Sequence, residues 1–116
     1  MARVARGEIW RFAFPRPDKQ RPVLVLTRPD MIGHLHTVTV APLTRTIRGV
    51  PSEVIVGEEA GLREPSAINL HHVATVPLQG LRSYVGTVDD RVLDQVRDAL
   101  LFALGFGGVG ALPARR

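Results

Sequence analysis

The fold is indicated most clearly by the stretch Gln20-Arg21-Pro22-Val23-Leu24-Val25-Leu26. Its apolar run from position 22 to position 27 is continuous rather than alternating, which is typical of a central strand buried on both faces. Pro22 has no backbone N–H, so we expect it at the first residue of that strand. Arg21 enters the strand directly from a loop and could reach over the rim of the sheet, although an exposed edge arginine is the simpler interpretation of this residue alone.

Short strands are predicted on both sides of this stretch, and a helix is predicted near the end of the chain. Apolar residues at the spacing of Val92, Val96 and Leu100 follow the period of an amphipathic helix. Asp89 is placed to cap its start and Gly105 to end it. The other predicted strands are rich in β-branched residues or alternate in polarity, and they cover residues 7–13, 37–43, 53–56, 67–71, 73–76 and 84–88.

These elements predict a mainly β fold with one C-terminal α-helix, in which a small antiparallel sheet is partly closed as a barrel. Residues 1–106 are expected to form a single domain, and residues 107–116 a flexible C-terminal tail. Because one helix cannot cover both faces of such a sheet, the remaining apolar surface predicts a homodimer.

Composition narrows the possible functions. The 116 residues, 45% of them apolar, are enough for one compact core. No apolar run approaches the roughly 18 residues of a membrane span, and no apolar stretch follows the basic N-terminus, so we expect a cytoplasmic protein without a membrane partner. The absence of cysteine excludes disulfides, zinc–thiolate sites and a cysteine nucleophile.

The net charge of +4 is unevenly distributed along the chain. Residues 1–50 contain nine Arg or Lys and three Asp or Glu, whereas residues 51–116 contain six and eight. The basic half could contact phosphates, but an ordinary solvated surface explains a charge of this size equally well.

A second motif, Val40-Ala41-Pro42-Leu43-Thr44, places a threonine where a predicted strand ends. The hydroxyl of Thr44 could point into a crevice and hold a phosphate. For the residue alone, a local hydrogen bond between the hydroxyl and the backbone is the simpler interpretation.

The two motifs, in this order and at this spacing, resemble the MazF/PemK family of toxins. The resemblance covers about residues 6–106, and no single motif in it is specific by itself. It is carried in order by Arg6-Gly7-Glu8-Ile9-Trp10, Gln20-Arg21-Pro22-Val23-Leu24-Val25, Val40-Ala41-Pro42-Leu43-Thr44, Gly49-Val50-Pro51-Ser52-Glu53-Val54, Pro65-Ser66-Ala67-Ile68-Asn69-Leu70, Val85-Gly86-Thr87 and the helix end at 101–106.

This resemblance implies an SH3-like barrel, a homodimer, and the toxin component of a type II toxin–antitoxin system. It implies sequence-specific cleavage of single-stranded RNA and neutralisation by a small acidic antitoxin. In the family, the residues that match Arg21 and Thr44 are the catalytic pair. The residues that we predict to contact RNA are Arg6, Lys19, Gln20, Arg45, Val50, Pro51, Ser66, Asn69 and His71.

The chemistry expected of this pair requires no metal or cofactor. Attack by the ribose 2′-OH on the adjacent phosphate yields a 2′,3′-cyclic phosphate and a 5′-OH, without a metal-bound water. A guanidinium at Arg21 can donate two parallel N–H bonds to the phosphoryl oxygens as their negative charge grows. The hydroxyl of Thr44 would hold the same phosphate.

The chain departs from the family pattern in two places. The loop before Arg21 carries Pro15, Pro17 and Lys19 instead of a glycine-rich stretch, and His71 and His72 stand where an acid or glutamine is common. On a strand the two histidines would point to opposite faces. We therefore favour polar surface or base contact for them over an acid–base pair.

Several other residues, and the function itself, allow more than one interpretation. His34-x-His36 is a weak metal signal. Trp10 and Phe14 could stack on bases or belong to the core, and Arg48 could contact phosphate or solvent. A gyrase-inhibiting toxin of the same fold and a non-catalytic, nucleic-acid-binding SH3-like module remain the alternative functions.

Overall fold

Seven strands and one α-helix form the fold in the part of the chain that the computed structural model describes, which is residues 3–15 and 20–106. The prediction of a mainly β fold with a C-terminal helix is confirmed. The elements are β1 (Glu8–Ala13), β2 (Gln20–Val25), β3 (Thr37–Thr44), β4 (Glu53–Val56), β5 (Ser66–Asn69), β6 (Ala74–Pro77), β7 (Leu81–Thr87) and α1 (Asp90–Leu104). Single 3-10 turns lie at Pro29–Met31, Glu58–Ala60, Leu70–His72 and Leu78–Gly80.

The strands pair antiparallel in the order β4-β5-β3-β2-β1-β7. Strand β3 is the centre of this arrangement because its length allows three partners: its start pairs with β6, its middle with β2 and its end with β5. Among the residues described, β4 and β7 end the order without pairing with each other. The sheet is therefore an open, incompletely closed barrel.

Apolar clusters lie on both faces of the curled sheet, as expected for a central strand buried on both sides. Successive residues of β2 alternate between them: Leu24 belongs to the cluster under α1, and Val23 and Val25 belong to the opposite one. Trp10 is only 6% exposed and lies in the second cluster, with its Nε1 donating to a Glu8 carboxylate oxygen over 3.0 Å. Trp10 is thus a core residue rather than a base-stacking one.

The second cluster shows that the face of the sheet away from α1 is not left uncovered, as the argument for a homodimer assumed. Side chains of the curled strands cover one another on the face away from α1. The exposed apolar residues that do cluster lie around the end of α1 and on β4, and they include Ile55, Leu101 and Phe106.

The helix begins and ends where the sequence predicts. An Asp89 carboxylate oxygen accepts from the backbone N–H of Val92 over 2.9 Å and so caps the N-terminus. Gly105 adopts a left-handed conformation with φ of 79°, which closes the C-terminus. None of the helices in the described ranges is long and apolar enough to cross a membrane.

Two local expectations were wrong. Pro22 is the third residue of β2, not the first. It is tolerated there because β3 pairs with β2 only from Val23 onward. His71 and His72 do not lie on a strand, because β5 ends at Asn69 and a 3-10 turn follows at Leu70–His72. The side-chain oxygen of Asn69 caps this turn by accepting from the backbone N–H of His71.

A close backbone approach positions one wall of the functional site. A Cβ added at Gly86 on β7 would overlap the carbonyl group of Ala60, and one added at Gly61 would overlap the carbonyl oxygen of Val85. Glycine at both positions lets the turn Glu58–Ala60 lie directly on β7. The loop 61–65, which leads from this turn into β5, is thereby held against β7 at its first residue.

Candidate active site

The ends of β2 and β3 bring Arg21 and Thr44 to the same place. Val23 on β2 lies opposite Pro42 on β3. Arg21 precedes Val23 by two residues and Thr44 follows Pro42 by two residues, so strand alternation places them on the same face and at the same end of these antiparallel strands. Both residues line two neighbouring cavities.

The first cavity has a volume of about 720 Å³ and is strongly cationic. Its lining holds four arginines and one acid, namely Arg11, Arg21, Arg45, Arg63 and Glu64. Guanidinium groups keep their charge at physiological pH and offer paired N–H donors to phosphate oxygens. The first cavity is therefore suited to a polyanion.

Glu64, the one acidic residue that lines the first cavity, forms an ion pair with one of the cavity's arginines. Arg45 Nη1 lies 3.1 Å from Glu64 Oε2, and the two side chains are 76% and 62% exposed. An ion pair this exposed contributes little, because water and salt screen it. A phosphate could therefore displace Glu64 from Arg45 at small cost.

The hydroxyl of Thr44 has a defined hydrogen-bonding role. Its Oγ1 accepts from the backbone N–H of Thr46 over 3.1 Å. A hydroxyl that accepts in this way still has its own hydrogen to donate. The local interpretation of Thr44 is thus correct, and it is compatible with donation to a bound phosphate.

The second cavity, of about 420 Å³, shares Arg21 and Thr44 with the first. Its lining combines cationic and hydroxyl groups with an aromatic ring and side-chain nitrogens, contributed by Phe14, Thr46, Arg48, Asn69 and His72. Phe14 is half-buried and packs edge-on against Phe12, with ring centroids 4.8 Å apart. A phosphate held at Arg21 and Thr44 would therefore adjoin both cavities.

Three further predicted residues lie at these cavities. Gln20 and Ser66 line the first, and Asn69 lines the second. Ser66 is only 7% exposed and its hydroxyl donates to the carbonyl oxygen of Glu64 over 3.3 Å. Because its hydroxyl already donates within the protein, Ser66 forms part of the cavity wall and does not offer this donor to a ligand.

The structure does not bring the remaining predicted residues to Arg21. Arg6 lies at the other end of β2, where its Nε donates to the carbonyl oxygen of Leu26 over 3.0 Å; five strand residues separate these ends by roughly 16 Å. Pro51 lines a third cavity beside the end of α1, and Val50 lines none of the three cavities. His71 is exposed and lines none of the three cavities.

Two predictions fall on residues whose structure is not described. Lys19 and the tail 107–116 lie outside the described ranges.

Several site residues were missed by the sequence analysis. Arg11 reaches the first cavity because it lies opposite Pro22 in the β1–β2 register. Arg63 does so because Thr44 pairs with Ala67, which brings the loop before β5 alongside. The alternation of β1 was the available signal for Arg11, whereas no local signal marks Arg63 or Thr46.

No group of three or more His, Asp or Glu side chains in residues 3–15 and 20–106 could hold a metal ion. His34 and His36 accordingly have no third ligand within those ranges.

Comparison with protein families gives one match over most of the chain. Residues 5–104 match the family described as PemK-like, MazF-like toxin of type II toxin-antitoxin system.

Individual relatives agree with this match. Endoribonuclease MazF3 of Mycobacterium tuberculosis is 45% identical over 69 residues, which are 60% of this chain and 67% of that protein. The solved Mycobacterium tuberculosis toxin MazF-mt6 is 34% identical with a TM-score of 0.80, over 85% of this chain and 97% of that one. An endoribonuclease in complex with its cognate antitoxin, from a mycobacterial species, is 25% identical with a TM-score of 0.78, over 97% and 100% of the two chains.

Proposed function

Because the chain belongs to the family of PemK-like, MazF-like toxins of type II toxin–antitoxin systems, we propose that it is an endoribonuclease that cuts single-stranded RNA. Arg21 and Thr44 are its proposed catalytic residues. One observation carries the proposal: Arg21 and Thr44 form the wall shared by two adjacent cavities, one of which is lined by four arginines. A strand of RNA threaded through both cavities would present one phosphate to this wall.

The proposed reaction needs only groups that the chain, the RNA and water supply. The ribose 2′-oxygen gives its proton to water and forms a bond to phosphorus, the bond from phosphorus to the 5′-oxygen breaks, and the 5′-oxygen takes a proton from water. The products are a 2′,3′-cyclic phosphate and a 5′-OH. The Arg21 guanidinium donates two N–H bonds to the phosphoryl oxygens as their charge increases, and the Thr44 hydroxyl donates a third.

Cleavage of RNA by purified protein in excess EDTA tests this function. We expect a long single-stranded RNA to be cut into fragments with cyclic phosphate and 5′-OH ends, while DNA of the same sequence and RNA with a 2′-O-methyl group at the scissile position stay intact. Loss of cleavage in EDTA would contradict the mechanism. Intact RNA together with inhibited DNA gyrase would favour the gyrase-inhibiting alternative.

An acidic antitoxin is the proposed protein partner, and the cytoplasm, where RNA is accessible, the proposed location. The first cavity would attract an acidic peptide for the reason that it attracts RNA, so the two should compete. Titrating labelled, uncleavable RNA off the protein with its antitoxin measures this competition. A ternary complex with unchanged RNA affinity would require a remote mode of inhibition instead.

The proposed active form is a homodimer. Support comes from exposed apolar side chains at the third cavity, where Ile55 of β4, Leu101 of α1 and Phe106 after α1 are 48%, 39% and 66% exposed. Apolar residues clustered in this way are typical of an interface.

A further inference from the structure

His72 lines the second cavity beside Arg21 and Thr44, yet the proposed cleavage reaction gives it no role. Its side chain is exposed, so burial does not explain its presence there. One of its two ring nitrogens is engaged: His72 Nδ1 lies 3.1 Å from Asn69 Nδ2. What the other nitrogen can do depends on which of the two carries the proton.

The orientation of the Asn69 amide settles that choice. Asn69 Oδ1 accepts from the backbone N–H of His71 over 3.0 Å, so the oxygen of the amide must face that N–H. The amide nitrogen then faces His72. Since an amide nitrogen can only donate, His72 Nδ1 must accept.

A neutral imidazole that accepts at Nδ1 carries its proton at Nε2. Asn69 therefore holds His72 as a hydrogen-bond donor at Nε2. In this form the ring has no lone pair at Nε2 with which to remove the proton of a ribose 2′-OH. The second cavity thus offers donors from His72 and Arg48, together with the half-buried ring of Phe14.

We infer that His72 is a specificity-determining residue, whose Nε2–H donates to an acceptor atom on the base of the nucleotide that occupies the second cavity. The ring of Phe14 would stack on that base, because stacking does not discriminate between bases and leaves the choice to hydrogen bonds. The carbonyl oxygens of guanine and uracil are acceptors, whereas adenine and cytosine carry an amino donor at the corresponding positions. This inference rests on the proposed RNA cleavage.

The orientation itself can be measured without any RNA. Long-range ¹H–¹⁵N correlation spectra of the ¹⁵N-labelled full chain distinguish the two ring nitrogens, at a pH well above the ordinary histidine pKa of about 6.5. We expect the His72 proton on Nε2 in the unmodified protein. In Asn69→Asp the carboxylate still accepts from the His71 N–H, but its second oxygen can only accept, so the His72 proton should move to Nδ1.

Cleavage of a random-sequence RNA pool, with the 5′-OH ends mapped by sequencing, then tests the role in recognition. His72→Ala should lower kcat/KM on the preferred site about tenfold, the loss expected for one hydrogen bond, and flatten base preference at one position. Asn69→Asp should shift preference at that same position toward adenine or cytosine. His34→Ala is the matched control, because His34 is exposed and lines none of the three cavities.

Two results would overturn the inference: a proton on Nδ1 in the unmodified protein, or base preference unchanged in His72→Ala. A protein that shows the Nε2 proton but cuts no RNA would instead contradict the proposed endoribonuclease function, and the role in recognition would fall with it.

Discussion

At the scale of single residues, two side chains of the site make local contacts that leave them able to bind an anion. Thr44 accepts from the N–H of Thr46 and still has its own hydrogen to donate. Arg45 lies in an exposed ion pair with Glu64, from which a phosphate can displace it at low cost. Both arrangements keep a polar group oriented before substrate arrives, which reduces the reorganisation that binding requires.

The Thr44 hydroxyl can be tested by a graded series of substitutions. Thr44→Ser keeps the oxygen and should leave cleavage within about threefold of the unmodified protein, whereas Thr44→Val keeps the shape and removes the donor. Loss of one hydrogen bond to a charged phosphate costs about 1.5–3 kcal/mol, so Val should lower kcat/KM roughly ten- to a hundredfold. Unfolding in urea serves as the control, since the bond to Thr46 is lost as well; equal activity of the Ser and Val variants would exclude the phosphate role.

Neutralising Glu64 should strengthen RNA binding. Glu64→Gln removes the one acid that lines the first cavity and releases Arg45, so affinity for uncleavable RNA at low salt should rise about two- to fivefold. Glu58→Gln is the matched control, because Glu58 is exposed and lines none of the three cavities. Fluorescence anisotropy measures both. An equal gain from the two variants would mean that only net charge matters.

The residues of the site differ in how far sequence could predict them. Arg21 and Thr44 stand at strand ends that hydrophobic pattern locates, and a family motif marks both. Arg63 could not be found in this way, because its position depends on the pairing of β5 with β3 and on a loop without periodicity. The strand predicted through His71 failed because the side chain of Asn69 competes for the backbone, which a pattern of apolar residues does not register.

At the scale of elements, periodicity and capping residues located most strands and the helix. Alternation and β-branched residues predicted strands where the structure has them, and Asp89 and Gly105 bound α1. The sequence did not predict how β3 divides its length among three partners, because such pairing is set by long-range packing rather than by local preference.

The contact between β7 and the turn Glu58–Ala60 can be tested through its glycine. Gly86→Ala should lower the free energy of unfolding by about 3 kcal/mol or more, because the new methyl group would overlap the Ala60 carbonyl and force the backbones apart. Displacing this turn also moves the adjoining wall of the first cavity, so cleavage should fall.

Gly49→Ala is the control for this change, since its φ of 75° is unfavourable for alanine but a Cβ there meets nothing within 4 Å. It should cost only about 1–2 kcal/mol, the penalty of a left-handed alanine. Urea denaturation compares the two variants. A loss no larger for Gly86→Ala than for Gly49→Ala would show that the close approach is not required.

At the scale of the whole molecule, charge and apolar surface occupy different places. Four arginines line the first cavity, and exposed apolar side chains lie around the third, at β4 and the end of α1. One surface is therefore suited to RNA or an acidic peptide, and the other to a second copy of the chain.

Disrupting the apolar surface should separate the proposed dimer. In the double variant Ile55→Lys with Leu101→Lys, two exposed side chains at the third cavity become charged, and an interface there would have to bury both charges. We expect the unmodified protein to sediment as a dimer at micromolar concentration and the variant as a folded monomer. Met31→Lys, at a residue 38% exposed and away from this cavity, should leave the dimer intact. A dimer that persists in the double variant would place the interface elsewhere.

The most direct test of the central claim is the single-turnover rate of RNA cleavage by Arg21→Ala in excess EDTA, with circular dichroism to verify the fold. In the proposed reaction Arg21 binds the phosphate on which the transition-state charge develops, so removing the guanidinium should slow cleavage by several orders of magnitude. Arg21→Lys should recover only part of the rate, because an ammonium cannot make two parallel bonds. Cleavage by folded Arg21→Ala protein at close to the unmodified rate would contradict the assignment of this site.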